Sequence, residues 1–106
     1  MWKAFTLTVL VEPVVVALFY RDRWHVMALV AFGATALTHL AMHLLLPAYI
    51  PDIDTRIFVG EVGALLLEAL AYWAFDSRHR IGLALMASAA ANTASFLLGI
   101  ILLPML

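Results

Sequence analysis

The sequence predicts an all-α membrane protein, a four-transmembrane-helix bundle made of two parallel tandem helical-hairpin repeats. Three observations lead to this fold: an extreme apolar composition, four long apolar segments and an internal duplication. Of the 106 residues, 66% are hydrophobic and 12% are charged, and the mean hydropathy is +1.04. These values lie far outside the range of an ordinary soluble domain. Residues 1–106 are therefore expected to form a single membrane domain.

Four apolar segments are each long enough to cross the hydrocarbon core of a bilayer, which takes about 20 residues. They lie at about 4–20, 24–46, 57–75 and 81–103. The first segment resembles a secretory signal peptide superficially. Because Glu-Pro interrupts it and no small-residue cleavage site follows, we expect it to be retained as a membrane span.

The second half of the chain repeats the first with a single one-residue gap, so that residues 12–47 align with 68–104. A chance alignment of two apolar stretches would not favour matches at polar residues and at residues near the ends of the segments. The matched pairs are Glu12 with Glu68, Phe19 with Phe75, Arg21 with Arg78, Arg23 with Arg80, Thr35 with Asn92 and Thr38 with Ser95. The sequence therefore predicts repeat 1 at about 4–47, a short loop at 48–56 and repeat 2 at about 57–104. Two spans per repeat make the repeats parallel.

The basic residues predict how the bundle is oriented. Four arginines lie at the two hairpin tips, 21–25 and 76–80, whereas the opposite end holds Lys3 and Arg56. Cytoplasmic loops carry an excess of Lys and Arg. We therefore expect an integral protein of the cell (inner) membrane, in contact with the lipid bilayer, with both tips cytoplasmic and both termini outside.

Composition and motifs exclude several classes of function. The net charge of -1 gives no indication of a nucleic-acid partner, and the absence of cysteine excludes disulfides and thiolate chemistry. The chain shows no nucleophile motif, no glycine-rich phosphate loop and no redox motif. An enzymatic function is therefore not favoured.

Two carboxylates are expected near the middle of the bilayer. Glu12 and Glu68 each come ten residues before their hairpin tip, and Thr35 and Asn92 fall within about one helical turn of the same depth. An acid inside a membrane costs about 2.5–3.5 kcal/mol on insertion scales and is a functional hypothesis by default. These four residues are the candidate proton- or ion-binding set. The alternative is that each protonated acid donates to Thr35 or Asn92 and only ties its own hairpin together.

A second candidate site consists of residues that the two repeats do not share. His39 and His43 lie four residues apart on one helix face, and Glu61 is expected at the depth of His39. Two imidazoles and a carboxylate could bind a divalent metal ion, namely zinc, manganese or iron. The same trio could relay protons, or Glu61 could simply hydrogen-bond to His39. Haem is disfavoured because both histidines belong to one helix.

Spans two and four carry related polar motifs. The fourth span has Asn-Thr-Ala-Ser from Asn92 to Ser95, and the second has Thr-Ala-Leu-Thr from Thr35 to Thr38. With an acid in spans one and three, this pattern resembles uncharacterised small four-span bacterial integral membrane proteins that carry Asn-x-x-Thr/Ser in spans two and four. The second span departs from that pattern at its first position. The resemblance implies the fold and no function. Small multidrug resistance exporters share the length and the first-span acid, but their signature around spans one and three is missing here.

The sequence thus predicts a small integral membrane protein that binds a proton or cation and takes part in transport. The midplane Glu pair would be the binding site and the outer His/Glu cluster its entrance or a metal site. A homo-oligomer is expected, because four helices enclose little volume. The alternative is a structural accessory subunit of a larger membrane complex, in which the polar groups dock partner helices or hold a cofactor jointly.

Overall fold

The computed structural model describes residues 2–105, and the described chain is helical almost throughout. Short connections join four long helices, which are α1 (Trp2–Phe19), α2 (Trp24–Tyr49), α3 (Ile53–Phe75) and α4 (Ile81–Leu102). Single 3-10 turns follow α1 at Arg21–Arg23 and α4 at Leu103–Met105. The predicted all-helical, four-helix architecture is confirmed, and the helix bounds lie within a few residues of the apolar segments.

Within the described residues, α2, α3 and α4 are long and apolar enough to cross a membrane. The apolar part of α1, Phe5–Phe19, is shorter. Large apolar side chains cover the outside of the bundle: Leu29 and Leu37 on α2, for example, are 74% and 71% exposed. So much exposed apolar surface is unusual for a soluble monomer and suits a lipid environment.

The connection between the two hairpins is shorter than the predicted loop at 48–56. Helix α2 continues through Pro47 to Tyr49, and the backbone N–H of Ile50 still donates to the carbonyl of Leu46. Helix α3 then begins at Ile53, because the side chain of Asp52 caps it by accepting from the backbone N–H of Thr55 at 3.0 Å. Only residues 50–52 remain outside the helices.

Each helix packs against two neighbours, so the bundle has four sides. Helices α1 and α3 each pack against α2 and α4. Near the tips, which are the connections 20–23 and 76–80, the interior is filled by large side chains of α1, α2 and α3 against alanines of α4. These core residues are Val16, Tyr20, Met27, Ala31, Tyr72, Ala84, Ala87 and Ala91. The small side chains let α4 approach closely.

Arg80 joins the two tips. Its Nε and Nη2 donate to the two carboxylate oxygens of Asp76 at 2.9 and 3.1 Å, and Nη2 also contacts Asp22 of the other tip at 3.3 Å. The guanidinium lies 5.5 Å from the centre of the Tyr20 ring, within cation–π range. The Asp76 side chain is buried and also accepts from the backbone N–H groups of Arg78 and Arg80. The Arg80 guanidinium and these amides hold the pKa of Asp76 well below its ordinary value.

The Asp76 contacts predict an acid-sensitive tip. A carboxyl whose pKa is lower in the folded than in the unfolded chain stabilises the fold fully above its unfolded pKa, and that stability is lost as the pH falls toward the folded value. The melting temperature in mild detergent should therefore drop between about pH 5 and pH 2. Asp76→Asn should lower the melting temperature at neutral pH and should make the melting temperature less dependent on pH. The exposed Asp54, changed to Asn, is the control, and an unchanged pH profile in Asp76→Asn would contradict the assignment.

Gly60 and Gly63 flank Glu61 but differ in their surroundings. A Cβ atom on Gly60 would collide with Sδ and Cγ of Met42 on α2 and lie 3.3 Å from Leu46, whereas a Cβ on Gly63 meets nothing within 4 Å. Only Gly60 therefore lets a neighbouring helix approach closely.

We expect Gly60→Ala to destabilise the bundle by about 1–3 kcal/mol through overpacking. Gly63→Ala should be neutral or stabilising by up to about 1 kcal/mol, since alanine is the better helix former. Reversible unfolding in detergent measures both. Met42→Ala removes the colliding atoms, so in a Met42→Ala protein Gly60→Ala should cause little loss of free energy of unfolding. If Gly60→Ala destabilises that protein as much as it destabilises wild type, the collision with Met42 is not the cause.

Candidate functional site

The bundle brings the acids of α1 and α3 together in its interior. Glu12 and Glu68 both have 0% exposure, and Thr35 of α2 lies between them. The Thr35 hydroxyl oxygen is 3.2 Å from Glu12 Oε1 and 3.3 Å from Glu68 Oε1. This bridge is possible because α2 packs against both α1 and α3. The structure thus brings Glu12, Thr35 and Glu68 together in the bundle interior.

Each acid also contacts a hydroxyl of the other hairpin. Ser95 of α4 donates to Glu12 Oε2 at 2.9 Å, and Thr38 of α2 lies 3.4 Å from Glu68 Oε2. The sequence alignment pairs Thr38 with Ser95, and its alternative interpretation tied each acid to a residue of its own hairpin. All four helices thus contribute a polar side chain to one buried cluster, which we call the Glu12/Glu68 cluster (Glu12, Thr35, Thr38, Glu68 and Ser95).

The cluster has fewer donors than its carboxylate oxygens require. A hydroxyl carries a single hydrogen, so Thr35 can donate to only one of the two acids at a time. Thr38 and Ser95 also have backbone carbonyls within 3.1 Å that compete for their hydrogens. A proton on one acid supplies the missing donor, because that acid can donate to the Thr35 oxygen while Thr35 donates to the other. The geometry therefore fits two acids that hold one proton between them.

His39 lies beside this cluster. Its Nε2 is 3.8 Å from Glu12 Oε2, and within residues 2–105 this buried nitrogen has no hydrogen-bond partner. Sequence reasoning paired His39 with Glu61 and missed its contact with Glu12. The sequence does indicate this contact with Glu12. His39 follows Thr35 by four residues and so shares the helix face that meets Glu12.

Asn92 does not bridge the acids as its counterpart Thr35 does. It lies beside Glu68, but its amide Nδ2 donates to the carbonyl of Ser88 at 2.8 Å. Ser88 in turn donates to the carbonyl of Leu65 at 2.6 Å and so joins α4 to α3. Since a carbonyl can only accept, the Asn92 atom facing Ser88 must be the nitrogen. The Oδ1 atom is then left without a partner in the described chain.

The trio His39, His43 and Glu61 lines one partly open cavity of about 330 Å³ in the distal half of the bundle, away from the tips. The two imidazole rings are 6.4 Å apart. Residues 2–105 contain no group of three His, Cys, Asp or Glu side chains arranged to hold a metal ion. The structure therefore gives no support to a metal centre formed by His39, His43 and Glu61, since His39 turns toward Glu12.

Comparison with known proteins does not place the chain in a family. No protein-family model, no curated protein and no solved structure matches it.

Replacing Thr35 tests the bridge directly. Thr35→Val keeps the shape but removes the hydroxyl, and it should cost about 1–3 kcal/mol because buried carboxylate oxygens lose a partner. Thr35→Ser retains the hydroxyl and should stay close to wild type. Unfolding in detergent measures the stability. Infrared spectroscopy should show the protonated carboxyl C=O band at higher frequency in the valine variant only. Valine and serine variants of equal stability would contradict a bridging role.

Proposed function

We propose that this protein binds a proton, or a cation that replaces it, at the Glu12/Glu68 pair and takes part in transport across a membrane. The observation that carries the proposal is the complete burial of two carboxyl groups in an apolar bundle, with the Thr35 hydroxyl between them. Acids at such depth are costly. Packing alone needs only neutral hydroxyl and amide groups.

The distances in the cluster are compatible with a proton held between the side chains. Ser95 lies 2.9 Å from Glu12, and Thr35 lies 3.2 and 3.3 Å from the two acids. The Ser95 distance is an ordinary O–H···O hydrogen-bond length, and the two Thr35 distances are slightly longer. A proton fits such contacts without rearrangement.

The cavity beside the cluster supports an entrance at the distal end. His39 and Ser95 line this cavity and also contact Glu12. His43 and Glu61 lie along the same cavity. In the opposite direction the fully buried side chains of the tip core fill the interior. We therefore infer that protons reach Glu12 from the distal side, with His39 next to the acid.

The contacts support two parallel hairpin repeats. Glu12 meets Ser95 and Glu68 meets Thr38, and the sequence alignment equates the two acids and the two hydroxyls. A two-fold exchange between hairpins would produce such a pattern.

The charges support the proposed orientation. The contact of Asp22 with Arg80 brings the tips to the same end of the bundle, and that end carries four arginines. We propose that it faces the cytoplasm and that both termini lie outside. A homo-oligomer would supply the pathway volume that four helices do not enclose.

The alternative, a structural accessory subunit of a larger complex, draws less support from the geometry. Thr35, Thr38, Ser88 and Ser95 all find hydrogen-bond partners inside the chain. They are therefore not available to dock partner helices.

Liposomes that contain the purified protein and a trapped pH-sensitive dye test the proposal. When a potassium diffusion potential is imposed, we expect wild-type vesicles to move protons faster than empty ones. Glu12→Gln and Glu68→Gln mimic the protonated acids permanently and should each reduce the flux to the empty-vesicle level. Asp52→Asn, which keeps the helix cap and removes one negative charge far from the cluster, should transport like wild type.

Two outcomes would count against the proposal. One is wild-type protein that carries neither protons nor sodium or potassium under any imposed gradient. The other is transport that continues unchanged in both glutamine variants, which would separate the acids from the pathway.

A further inference from the structure

A groove between α3 and α4 extends the distal cavity. A second cavity of about 460 Å³ adjoins the first, and the two share Ile57, Glu61 and Phe96 in their walls. Pockets of these volumes enclose small organic ligands. A proton needs no such space, so the groove calls for a different occupant.

The charged residues that line the two cavities indicate the charge of a ligand that would bind there. Glu61 is half-buried, and within the described residues its carboxylate has neither a hydrogen bond nor an ion pair. Asp54 also lines the second cavity, and among the described residues no Lys or Arg lines either cavity, whereas His39 and His43 line the first. A carboxylate among apolar walls is costly unless a positive charge compensates it. An anionic ligand would increase that cost.

The remaining walls suit an organic cation rather than a metal ion. Phe96 of α4 lies on the other side of the groove from Glu61 of α3, and Phe58 lines the second cavity as well. Aromatic faces attract ammonium groups. Asn92 also lines the second cavity but is only 6% exposed. A metal ion would require several converging ligands, which residues 2–105 do not provide.

We propose that this groove binds an amphiphilic organic cation, a compact ammonium group on an apolar body. Glu61 is its counter-ion, Phe96 contacts the ammonium group, and the apolar walls of α3 and α4 cover the body. The proposal goes beyond proton binding at Glu12 and Glu68, because the groove can be occupied whether or not those acids exchange protons.

Two isosteric probes test the proposal. Benzyltrimethylammonium carries the charge, and neopentylbenzene has a carbon in place of the nitrogen. Binding is measured by equilibrium dialysis against protein in zwitterionic nanodiscs, with empty nanodiscs as background. The dialysis is carried out at a mildly alkaline pH. We expect wild-type protein to retain the cation and not the neutral isostere.

Substitutions locate the binding. Glu61→Gln should weaken cation binding at least about tenfold, the scale expected when the partner of a desolvated charge is removed. Glu61→Asp keeps the charge and should retain most of the affinity, and Phe96→Leu should lower it. Asp52→Asn removes the same charge at the same end of the bundle but lies outside both cavity walls, so its affinity should match wild type.

Three results would overturn the proposal. They are wild-type protein that does not retain the cation, a folded Glu61→Gln variant that binds it as well as wild type, and a neutral isostere that binds equally well. The last result would make the groove an apolar crevice filled by lipid. The measurement uses no ion gradient, so its failure is distinguishable from a failure of proton transport at Glu12 and Glu68.

Discussion

The contact between two buried acids and the Thr35 hydroxyl is the constraint on which the rest of the bundle depends. Charged or hydrogen-bonding groups in an apolar interior need partners, and no single helix can supply them. Glu12 and Glu68 lie on helices that do not pack side by side, so α2 and α4 must provide the hydroxyls that reach them. The position of each helix around the cluster is fixed by this requirement as much as by apolar packing.

The two ends of the bundle differ in a way that suits a one-sided site. At the tips, Arg80 connects both hairpins. Tyr20, Met27 and Tyr72 fill the interior there and pack against the alanines of α4. At the distal end, the helices leave cavities lined by Glu61. The same four helices therefore close one end and open the other. In the proposed function, protons would therefore exchange with the open side first.

The two proposed repeats differ in some of their contacts. Thr35 and Asn92 occupy matching positions, yet Thr35 bridges the acids while Asn92 bonds to Ser88 on its own helix. Phe96 is the counterpart of His39, and both line cavity walls. Thr38 and Ser95, in contrast, both contact the acid of the other hairpin.

The sequence by itself determined the helices, their approximate bounds and the common depth of Glu12 and Glu68. Apolar length and helical periodicity depend only on neighbours along the chain, so they can be read without coordinates. The tertiary structure alone decided that Ser95 reaches Glu12, that His39 turns to Glu12 and not to Glu61, and that Gly60 rather than Gly63 meets α2. Periodicity fixes which residues share a face. It does not fix the rotation of each helix about its axis or the neighbour that face meets, and both depend on packing of all four helices at once.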